Sequence, residues 1–463
     1  MRPLCAAFAL CALALPAAAE APKKTPLDDY LVKPDPTYAW KLVKIIPGDG
    51  VTSYVLDLKS QTWRSTPEVD RPVWQHWLTI IRPDKVTSDT ALLTIGGGRN
   101  GGEPPATVPA DAVDRAHRSG TVVVALGQVP NQPLVFNKDG QQRVEDDLLA
   151  YCHIRFIETG DPTWVGRLPM VKSAVRAMDA ATEFLASAEG GKVPIKSFVV
   201  AGGSKRGWTT WLTGAVDKRV KAIVPCVIDV VNVRPSMMNH FAAYGFWAPA
   251  VGNYAVQHRV MDRWDAPRMD ELNKIEDPYY YLDRLTLPKY VVNAAGDQFF
   301  TPDSSKFYFD DLKGPKYLRY VPNGDHSLRG TDAGESILAF YRAVVEGKPL
   351  PKFQWTMGKD GAITVSTETK PKEVNLWQAT NLKARDFRLM TIGKAYKSSP
   401  LEPVSKGVYV GRVPKPESGW TAFFVELVFD SGDEKAPYKF TTQVQIVPDV
   451  LPHSFDEFLK GRK

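Results

Sequence analysis

The fold of this chain is decided by the segment Phe198-Val199-Val200-Ala201-Gly202-Gly203-Ser204-Lys205-Arg206-Gly207-Trp208. An apolar run of the kind found in buried strands ends in small residues around one serine, and a helix-like segment follows. This pattern is typical of a nucleophile elbow, a strand-to-helix turn that is too tight for large neighbouring side chains and that exposes a serine hydroxyl. Because glycine and serine also occur together in ordinary turns, Ser204 is a candidate nucleophile only if other segments supply its partners.

Two later segments supply an acid and a histidine. The strand-like run Tyr290–Ala294 leads into a glycine turn with Asp297, and the run Tyr317–Val321 is followed by a loop with His326. Serine, acid and histidine in this order, each beyond the carboxyl end of a strand, is the chain order of α/β-hydrolases. The imidazole takes the proton of the serine hydroxyl, and the carboxylate orients the imidazole and stabilises its cation. The order predicts a catalytic triad of Ser204, His326 and Asp297.

Two other carboxylates compete for the role of the acid. Asp325 adjoins the histidine, and Asp229 follows the strand-like run Ala222–Ile228, where some hydrolases keep their acid. We prefer Asp297 as the acid and keep Asp229 as the alternative. A non-catalytic Asp229 or Asp325 is expected to be solvated or to cap a helix.

A serine hydrolase also needs backbone donors for the oxyanion of its tetrahedral intermediate. The residue after the nucleophile, Lys205, supplies one N–H, and a glycine-rich loop after an earlier strand supplies the other. Five of the residues 96–102 are glycine and follow the apolar run Thr90–Ile95. Such a loop is costly in backbone entropy unless its geometry is needed. Gly97 and Gly98 are the predicted donors, and a flexible turn is the alternative.

The N-terminus has the basic, apolar and small-residue zones of a secretory signal peptide, residues 1–19, with cleavage expected after Ala19. The apolar run is too short to span a bilayer, so no stable membrane insertion is expected. The sequence thus predicts a secreted or periplasmic protein. Two of the 4 cysteines leave with the leader, and Cys152 and Cys226 could pair or stay as two separate thiols.

The rest of the chain predicts an α/β fold with two domains. Residues 20–350 form the hydrolase domain, in which an antiparallel start gives way to alternating strands and helices around a mostly parallel sheet. An insertion at about 230–287, rich in aromatic and methionine residues, is the expected helical lid. Residues 351–463 contain short runs of alternating apolar and polar residues separated by turn residues. This pattern predicts β-strands and is typical of an immunoglobulin-like β-sandwich.

Several strings resemble one known family. They are Thr62-Trp63-Arg64, Asp70-Arg71-Pro72-Val73-Trp74-Gln75-His76-Trp77, Gly160-Asp161-Pro162-Thr163-Trp164, Leu168-Pro169-Met170-Val171-Lys172 and the elbow segment itself. They are similar to those of the PhoPQ-activated pathogenicity-related proteins of the α/β-hydrolase superfamily. The resemblance implies a hydrolase-like fold and export. A related secreted protein acts as a proliferation-repressing signal. The resemblance therefore supports the predicted fold and export more than it supports a particular reaction.

The elbow departs from the common Gly-x-Ser-x-Gly pattern, because Arg206 stands where the second glycine belongs and Gly207 follows one place later. The resulting Gly-x-Ser-x-x-Gly resembles carbohydrate esterases of the glucuronoyl esterase type, in which a basic residue beside the serine helps to hold the oxyanion. The resemblance implies that Lys205 or Arg206 adds a charge-assisted donor. The alternative is that Arg206 pairs with a carboxylate and supports the turn.

The leading hypothesis is a serine esterase that acts on a small-molecule or saccharide ester through an acyl-enzyme on Ser204. Two alternatives remain: a serine peptidase, and a secreted signalling or binding protein that keeps the hydrolase scaffold and binds a protein partner through its C-terminal sandwich. No metal or other cofactor is expected, since no cysteine and histidine spacing indicates one. With 58 basic and 52 acidic side chains dispersed along the chain, no nucleic-acid partner is expected.

Overall fold

The computed structural model describes residues 24–461, so the predicted leader 1–19 lies outside the described residues. A nine-stranded sheet forms the centre of the N-terminal part. Its strands are β1 (Ala39–Gly48), β2 (Val51–Thr62), β3 (Val73–Pro83), β4 (Thr90–Ile95), β5 (Val123–Leu126), β6 (Ser197–Gly203), β7 (Val220–Cys226), β8 (Lys289–Ala294) and β9 (Lys316–Val321).

The sheet is mixed, with strand order β1-β2-β3-β5-β4-β6-β7-β8-β9. The pairs β1-β2, β2-β3 and β3-β5 are antiparallel. The remaining pairs, β5-β4, β4-β6, β6-β7, β7-β8 and β8-β9, are parallel. In the sheet β5 lies between β3 and β4, and parallel strands follow it up to β9. This arrangement is an α/β-hydrolase sheet, as the sequence predicted. In such a sheet the ligand site lies at the carboxyl ends of the parallel strands.

Helices cover both faces of this sheet. The helices of the described chain are α1 (Pro26–Val32), α2 (Ala110–Ser119), α3 (Glu145–Thr159), α4 (Arg167–Ala186), α5 (Lys205–Val216), α6 (Val233–Tyr244), α7 (Pro267–Glu276), α8 (Ala333–Glu346), α9 (Leu389–Ile392) and α10 (Phe455–Lys460). Neighbouring residues of β6 point to opposite faces: Val200 packs in the core that contains α4 and α5, and Val199 packs in the core that contains α2 and α8. Burial on both sides explains why the strand is a continuous apolar run.

The predicted insertion is the connection between β7 and β8. It contains α6 and α7 together with short 3₁₀ and π turns, so it is helical as expected. Its aromatic residues pack mainly against one another and against α10, for example Trp264 against Phe455 with ring centroids 5.1 Å apart. The sequence did not predict α10, whose short amphipathic run follows the last strand.

The C-terminal part consists of two antiparallel sheets, as the alternating pattern indicated. Its strands are β10 (Phe353–Met357), β11 (Ile363–Thr367), β12 (Glu373–Asn381), β13 (Lys397–Pro400), β14 (Val408–Gly411), β15 (Trp420–Phe429), β16 (Tyr438–Thr441) and β17 (Gln445–Val447). One sheet has the order β10-β11-β14, and the other has the order β13-β12-β15-β16 with β17 paired to β15. An immunoglobulin-like strand arrangement stays a prediction.

The open alternative for the cysteines is resolved, because Cys152 and Cys226 are both free thiols. Cys152 is buried in α3, and Cys226 ends β7 beneath the elbow. Among residues 24–461, no helix is long and apolar enough to cross a membrane.

Candidate active site

Ser204 occupies the single position between the end of β6 and the start of α5. Its backbone has φ 56° and ψ −130°, a combination that a residue with a side chain rarely adopts. Two hydrogen bonds hold it there: Ser204 N–H donates to the carbonyl of Cys226 at 2.9 Å, and Trp208 N–H donates to the carbonyl of Ser204 at 3.0 Å. Strained serines of this kind are found where a strand turns abruptly into a helix to expose the hydroxyl.

Two glycines make the turn sterically feasible. A Cβ at Gly202 would lie 2.7 Å from the carbonyl oxygen of Arg206, and a Cβ at Gly207 would lie 2.9 Å from the carbonyl oxygens of Cys226 and Gly202. At Gly203 the nearest atom would be 3.7 Å away, which is ordinary contact. Gly207, which stands one place later than the second glycine of the common pattern, therefore allows the helix to approach the strand closely, as that second glycine does in the common elbow.

His326 and Asp297 form a direct pair on the loops after β9 and β8. His326 Nδ1 lies 2.8 Å from Asp297 Oδ2 and 3.0 Å from Asp297 Oδ1. Asp297 Oδ1 also accepts from the N–H of Phe299 at 2.7 Å, and the N–H of His326 donates to Gln298 Oε1 at 3.1 Å. This contact fixes Nδ1 on the carboxylate and leaves Nε2 as the ring nitrogen for proton transfer.

His326 Nε2 is buried, and no hydrogen-bond partner reaches it within the described chain, so it makes no hydrogen bond to the Ser204 hydroxyl. The rings of Phe299 and Phe300 lie beside the imidazole, with centroids 4.2 and 6.0 Å away. The structure thus joins the candidate acid and the candidate base directly, while the hydrogen bond from His326 to Ser204 is not formed. Catalytic hydrogen bonds commonly tighten only when substrate binds.

The two competing carboxylates have other partners. Asp229 is buried and accepts hydrogen bonds from the hydroxyls of Tyr308 at 2.7 Å and Tyr320 at 2.5 Å. Burial raises the pKa of Asp229 to about 8, so this carboxyl is mainly protonated near neutral pH and is poorly suited to stabilise an imidazolium. Asp325 accepts from the hydroxyl of Ser327 at 2.6 Å. Of the candidate acids, Asp297 is the one whose carboxylate meets His326.

The glycine loop lies next to the elbow. Its carbonyls are occupied, since Gly97 O accepts from Gln128 N–H at 2.8 Å and Gly98 O accepts from Gln132 Nε2 at 3.1 Å. A Cβ at Gly97 would lie 2.6 Å from Arg206 Nη2, and Gly98 has φ 137°. Lys205 is the first residue of α5, where backbone N–H groups lack an acceptor within the helix and the helix dipole favours negative charge. The predicted oxyanion donors therefore lie on two neighbouring segments.

The basic side chains after Ser204 bind carboxylates at the start of α3. Arg206 donates through Nη2 to Glu145 Oε1 at 2.6 Å and through Nε to the carbonyl of Val129 at 2.5 Å. Lys205 Nζ lies 2.9 Å from Glu145 Oε2 and 3.3 Å from Asp146 Oδ2. Although burial opposes it, Arg206 and Lys205 lower the pKa of Glu145 to about 2. This arrangement favours the turn-supporting role for Arg206.

Sequence reasoning missed Glu145. Its signal was available, because three acidic residues in a row, 145–147, precede an apolar helical run. Nothing in their order, however, points to a pairing with basic residues 60 positions later.

A cavity of about 100 Å³ lies beside Ser204, between the start of α5 and the insertion. Aliphatic, methionine and aromatic side chains form most of its wall, and Ser204 and Lys205 border it at one end. Arg167 and Glu276 lie on its polar side, with Arg167 Nε and Glu276 Oε2 4.0 Å apart. In residues 24–461 there is no group of three or more histidine, cysteine or acidic side chains placed to hold a metal ion.

The family model described as PhoPQ-activated pathogenicity-related protein matches residues 27–388. The chain belongs to this family. A relative, autocrine proliferation repressor protein A of Dictyostelium discoideum, is 42% identical over 459 residues, which cover 92% of this chain and 91% of that protein. The family match includes the elbow, the Asp297 and His326 loops and the insertion, and it ends inside the C-terminal part.

Solved structures of two acetyl xylan esterases are similar in fold. The enzyme from Paenibacillus sp. R4 is 16% identical, with a TM-score of 0.46 over 69% of this chain and 91% of that chain. Acetyl xylan esterase 1 from Thermoanaerobacterium sp. is 15% identical, with a TM-score of 0.48 over 69% of this chain and 91% of that chain. At this sequence identity and TM-score, the similarity concerns the fold and does not indicate the reaction.

Proposed function

We propose that this protein is a serine hydrolase that cleaves carboxylic esters through an acyl-enzyme on Ser204. The observation that carries the proposal is the backbone of Ser204, held at φ 56° and ψ −130° between β6 and α5. Such strain costs about 1–3 kcal/mol and persists where a function depends on it. The Asp297 and His326 pair, on the loops after the parallel strands β8 and β9, supplies an oriented base.

In the proposed reaction, Ser204 Oγ attacks the ester carbonyl carbon while His326 Nε2 takes the hydroxyl proton. The N–H of Lys205 and a donor of the glycine loop at Gly97 or Gly98 bind the oxyanion. The carbon–oxygen bond to the alcohol then breaks, and the alcohol leaves with the proton from His326. A water molecule repeats the sequence on the acyl-enzyme, releasing the acid and restoring the serine.

An ester is the proposed substrate rather than a peptide because of the wall beside Ser204. An extended peptide is held by backbone hydrogen bonds along a cleft, whereas this wall consists mainly of apolar side chains. Small-molecule and saccharide esters are the proposed substrate classes.

The test is hydrolysis of a panel of p-nitrophenyl and acetyl-sugar esters by the purified protein. We expect turnover that Ser204→Ala removes. Ser399→Ala is the matched control, because Ser399 is exposed on β13, and it should leave turnover unchanged. Equal turnover by the Ser204→Ala variant and the unmodified protein would refute the proposal.

A second candidate function is favoured by one specific observation, the 42% identity to autocrine proliferation repressor protein A. In this alternative the protein is an exported signal that acts through its surface, including the C-terminal sheets as a partner site. Adding purified protein to growing cells distinguishes the two. Equal growth repression by the protein and by its Ser204→Ala variant would favour the signalling role.

Export through the leader 1–19 is also part of the proposal, supported by its basic, apolar and small-residue zones. Expression of the full chain followed by N-terminal sequencing of the exported protein should give Glu20 as the first residue. Retention of the full-length chain inside the cell would contradict it.

A further inference from the structure

The cavity beside Ser204 is built largely from the insertion. Its wall includes Val233 and Met237 of α6 and Met269 and Leu272 of α7, together with Trp208 of α5. Methionine, leucine and valine side chains offer dispersion contacts and no hydrogen bonds of consequence. The occupant that gains most from this wall is therefore an apolar group.

On the polar side of the cavity, charged groups lie within 4.0 Å of one another, while His153 Nε2, Arg167 Nε and Glu276 Oε2 make no hydrogen bond within the described chain. His153 Nε2 lies 2.9 Å from Glu276 Oε1, and the Tyr254 hydroxyl donates to Asp146 Oδ1 at 3.2 Å. The Arg167 guanidinium stacks on the Trp208 ring at 4.5 Å and lies within 4.0 Å of Glu276. Because the buried positive and negative charges are paired, this side presents no net charge to select an ionic substrate group.

The position of the cavity indicates which half of an ester it receives. The leaving alcohol takes its proton from the imidazole, so it must lie on the His326 side of the scissile bond. The cavity borders Ser204 and Lys205 but is not lined by His326, and its wall residue Phe299 contacts the imidazole with ring centroids 4.2 Å apart. The part of the substrate that reaches into the cavity is thus the acyl group bonded to Ser204.

The volume limits the length of that acyl group. An apolar cavity of about 150 Å³ holds one benzene molecule, so a smaller one holds roughly four carbon atoms. The volume here is about 100 Å³. We propose that this cavity is an acyl-binding site and that the protein prefers esters of short, uncharged aliphatic acids of about four carbons. The inference rests on the proposed serine-hydrolase function and adds the identity of the acyl half.

The experiment compares kcat/KM for p-nitrophenyl acetate, butanoate, hexanoate and octanoate. Butanoate has two more methylenes than acetate, and each buried methylene contributes ~0.8 kcal/mol, so kcat/KM for butanoate should exceed that for acetate by about 15-fold. Octanoate should fall below butanoate because its chain exceeds the cavity. A flat profile, or a rise that continues to octanoate, overturns the inference.

Two variants with opposite effects keep the test decisive. Val233→Phe fills the cavity and should lower the butanoate-to-acetate ratio, while Met269→Ala enlarges it and should move the optimum to hexanoate. Val256→Phe is the matched control, since Val256 is 75% exposed on the same insertion and should leave the ratio unchanged. Thermal unfolding confirms that each variant folds. Ratios that do not respond to either cavity variant would place the acyl group elsewhere.

The same preparations separate failure of the inference from failure of the proposed function. A fluorophosphonate probe that labels Ser204 in a protein with a flat chain-length profile refutes the acyl-site assignment alone. Absence of both labelling and ester turnover in the folded protein refutes the hydrolase function and the acyl site together.

Discussion

The N–H of Leu389 donates a hydrogen bond to the carbonyl oxygen of Gly296 at 2.9 Å. Leu389 belongs to the C-terminal part of the chain, and Gly296 directly precedes Asp297. The N–H of Gly296 in turn donates to the carbonyl of Gly324 at 3.1 Å, on the loop that carries His326. One short C-terminal segment is therefore bonded to the loop of the proposed acid, which is bonded to the loop of the proposed base.

Two further contacts strengthen this connection. Asn323 Nδ2 donates to the carbonyl of Tyr396 at 2.9 Å, and Tyr396 N–H donates to Asn323 Oδ1 at 3.0 Å. Arg385 Nη2 donates to Asp303 Oδ2 at 2.8 Å in a fully buried ion pair. The C-terminal part thus supports the loops that carry Asp297 and His326, in addition to any surface that it offers to partners.

Gly296→Ala tests this support. The new Cβ would lie 2.8 Å from Gly324 O and 3.0 Å from Leu389 Cβ, so the acid loop must move relative to its neighbours. A displacement of this size is expected to lower kcat by about 10- to 100-fold. Ester turnover measures it, with Gly334→Ala as the control, because a Cβ there meets nothing within 4 Å. Unchanged kcat in Gly296→Ala would show that the loop contact is dispensable.

The elbow makes a prediction about two glycines. Gly207→Ala places a Cβ 2.9 Å from two carbonyl oxygens, and overpacking of this kind typically costs about 1–3 kcal/mol of stability. Gly203→Ala meets its nearest atom at 3.7 Å and should be tolerated. Urea unfolding and ester turnover of the two variants should differ accordingly. Equal behaviour would contradict the assignment of Gly207 as the glycine that the turn requires.

Two isosteric changes distinguish the candidate acids. Asp297→Asn removes the carboxylate that holds His326 Nδ1 and should lower kcat by about 10³- to 10⁴-fold. Asp229→Asn keeps an oxygen that accepts from one tyrosine hydroxyl and turns an N–H toward the other. It replaces a carboxyl that is already mainly neutral, so kcat should change little. Steady-state kinetics at pH 7 measure both. A larger loss in Asp229→Asn than in Asp297→Asn would reverse the assignment.

Glu145 makes a prediction about acid stability. Its folded pKa of about 2 lies below its ordinary value of 4.5, so its pairing with Arg206 and Lys205 contributes stability that is present above pH 4.5 and is lost as the pH falls toward 2. The unmodified protein should therefore lose more stability than Glu145→Gln between pH 5 and pH 3. Denaturant unfolding at several pH values measures the difference. Parallel losses in the two proteins would argue against a pairing in solution.

Much of the fold was predictable from the sequence because its signals are local. Alternation from Tyr38 to about Ile95 predicted the antiparallel start, and the continuous apolar run Thr121–Leu126 predicted a strand buried on both faces. The C-terminal strands followed from period-two patterning. The order of Ser204, Asp297 and His326 predicted that all three follow the carboxyl ends of parallel strands. In the structure these strands are β6, β8 and β9, and Asp297 and His326 are paired.

What the sequence did not predict depends on contacts between distant segments. The binding of Arg206 to Glu145 joins residues 61 positions apart, and the contact of Leu389 with Gly296 crosses from one part of the chain to another. The contact between the Phe299 and His326 rings depends on loop geometry that composition does not specify. The role of Arg206 could not be chosen from the motif, because an arginine beside a serine serves an oxyanion or a carboxylate equally well.

The central claim is that Ser204 is a nucleophile activated by His326. The most direct measurement is intact mass spectrometry of the folded protein after incubation with a fluorophosphonate probe, followed by peptide mapping. The account predicts one adduct, located on Ser204, that is absent in Ser204→Ala, strongly slowed in His326→Ala and retained in Ser399→Ala. A folded protein that gains no adduct, or that is modified at another serine at the same rate in Ser204→Ala, would contradict it.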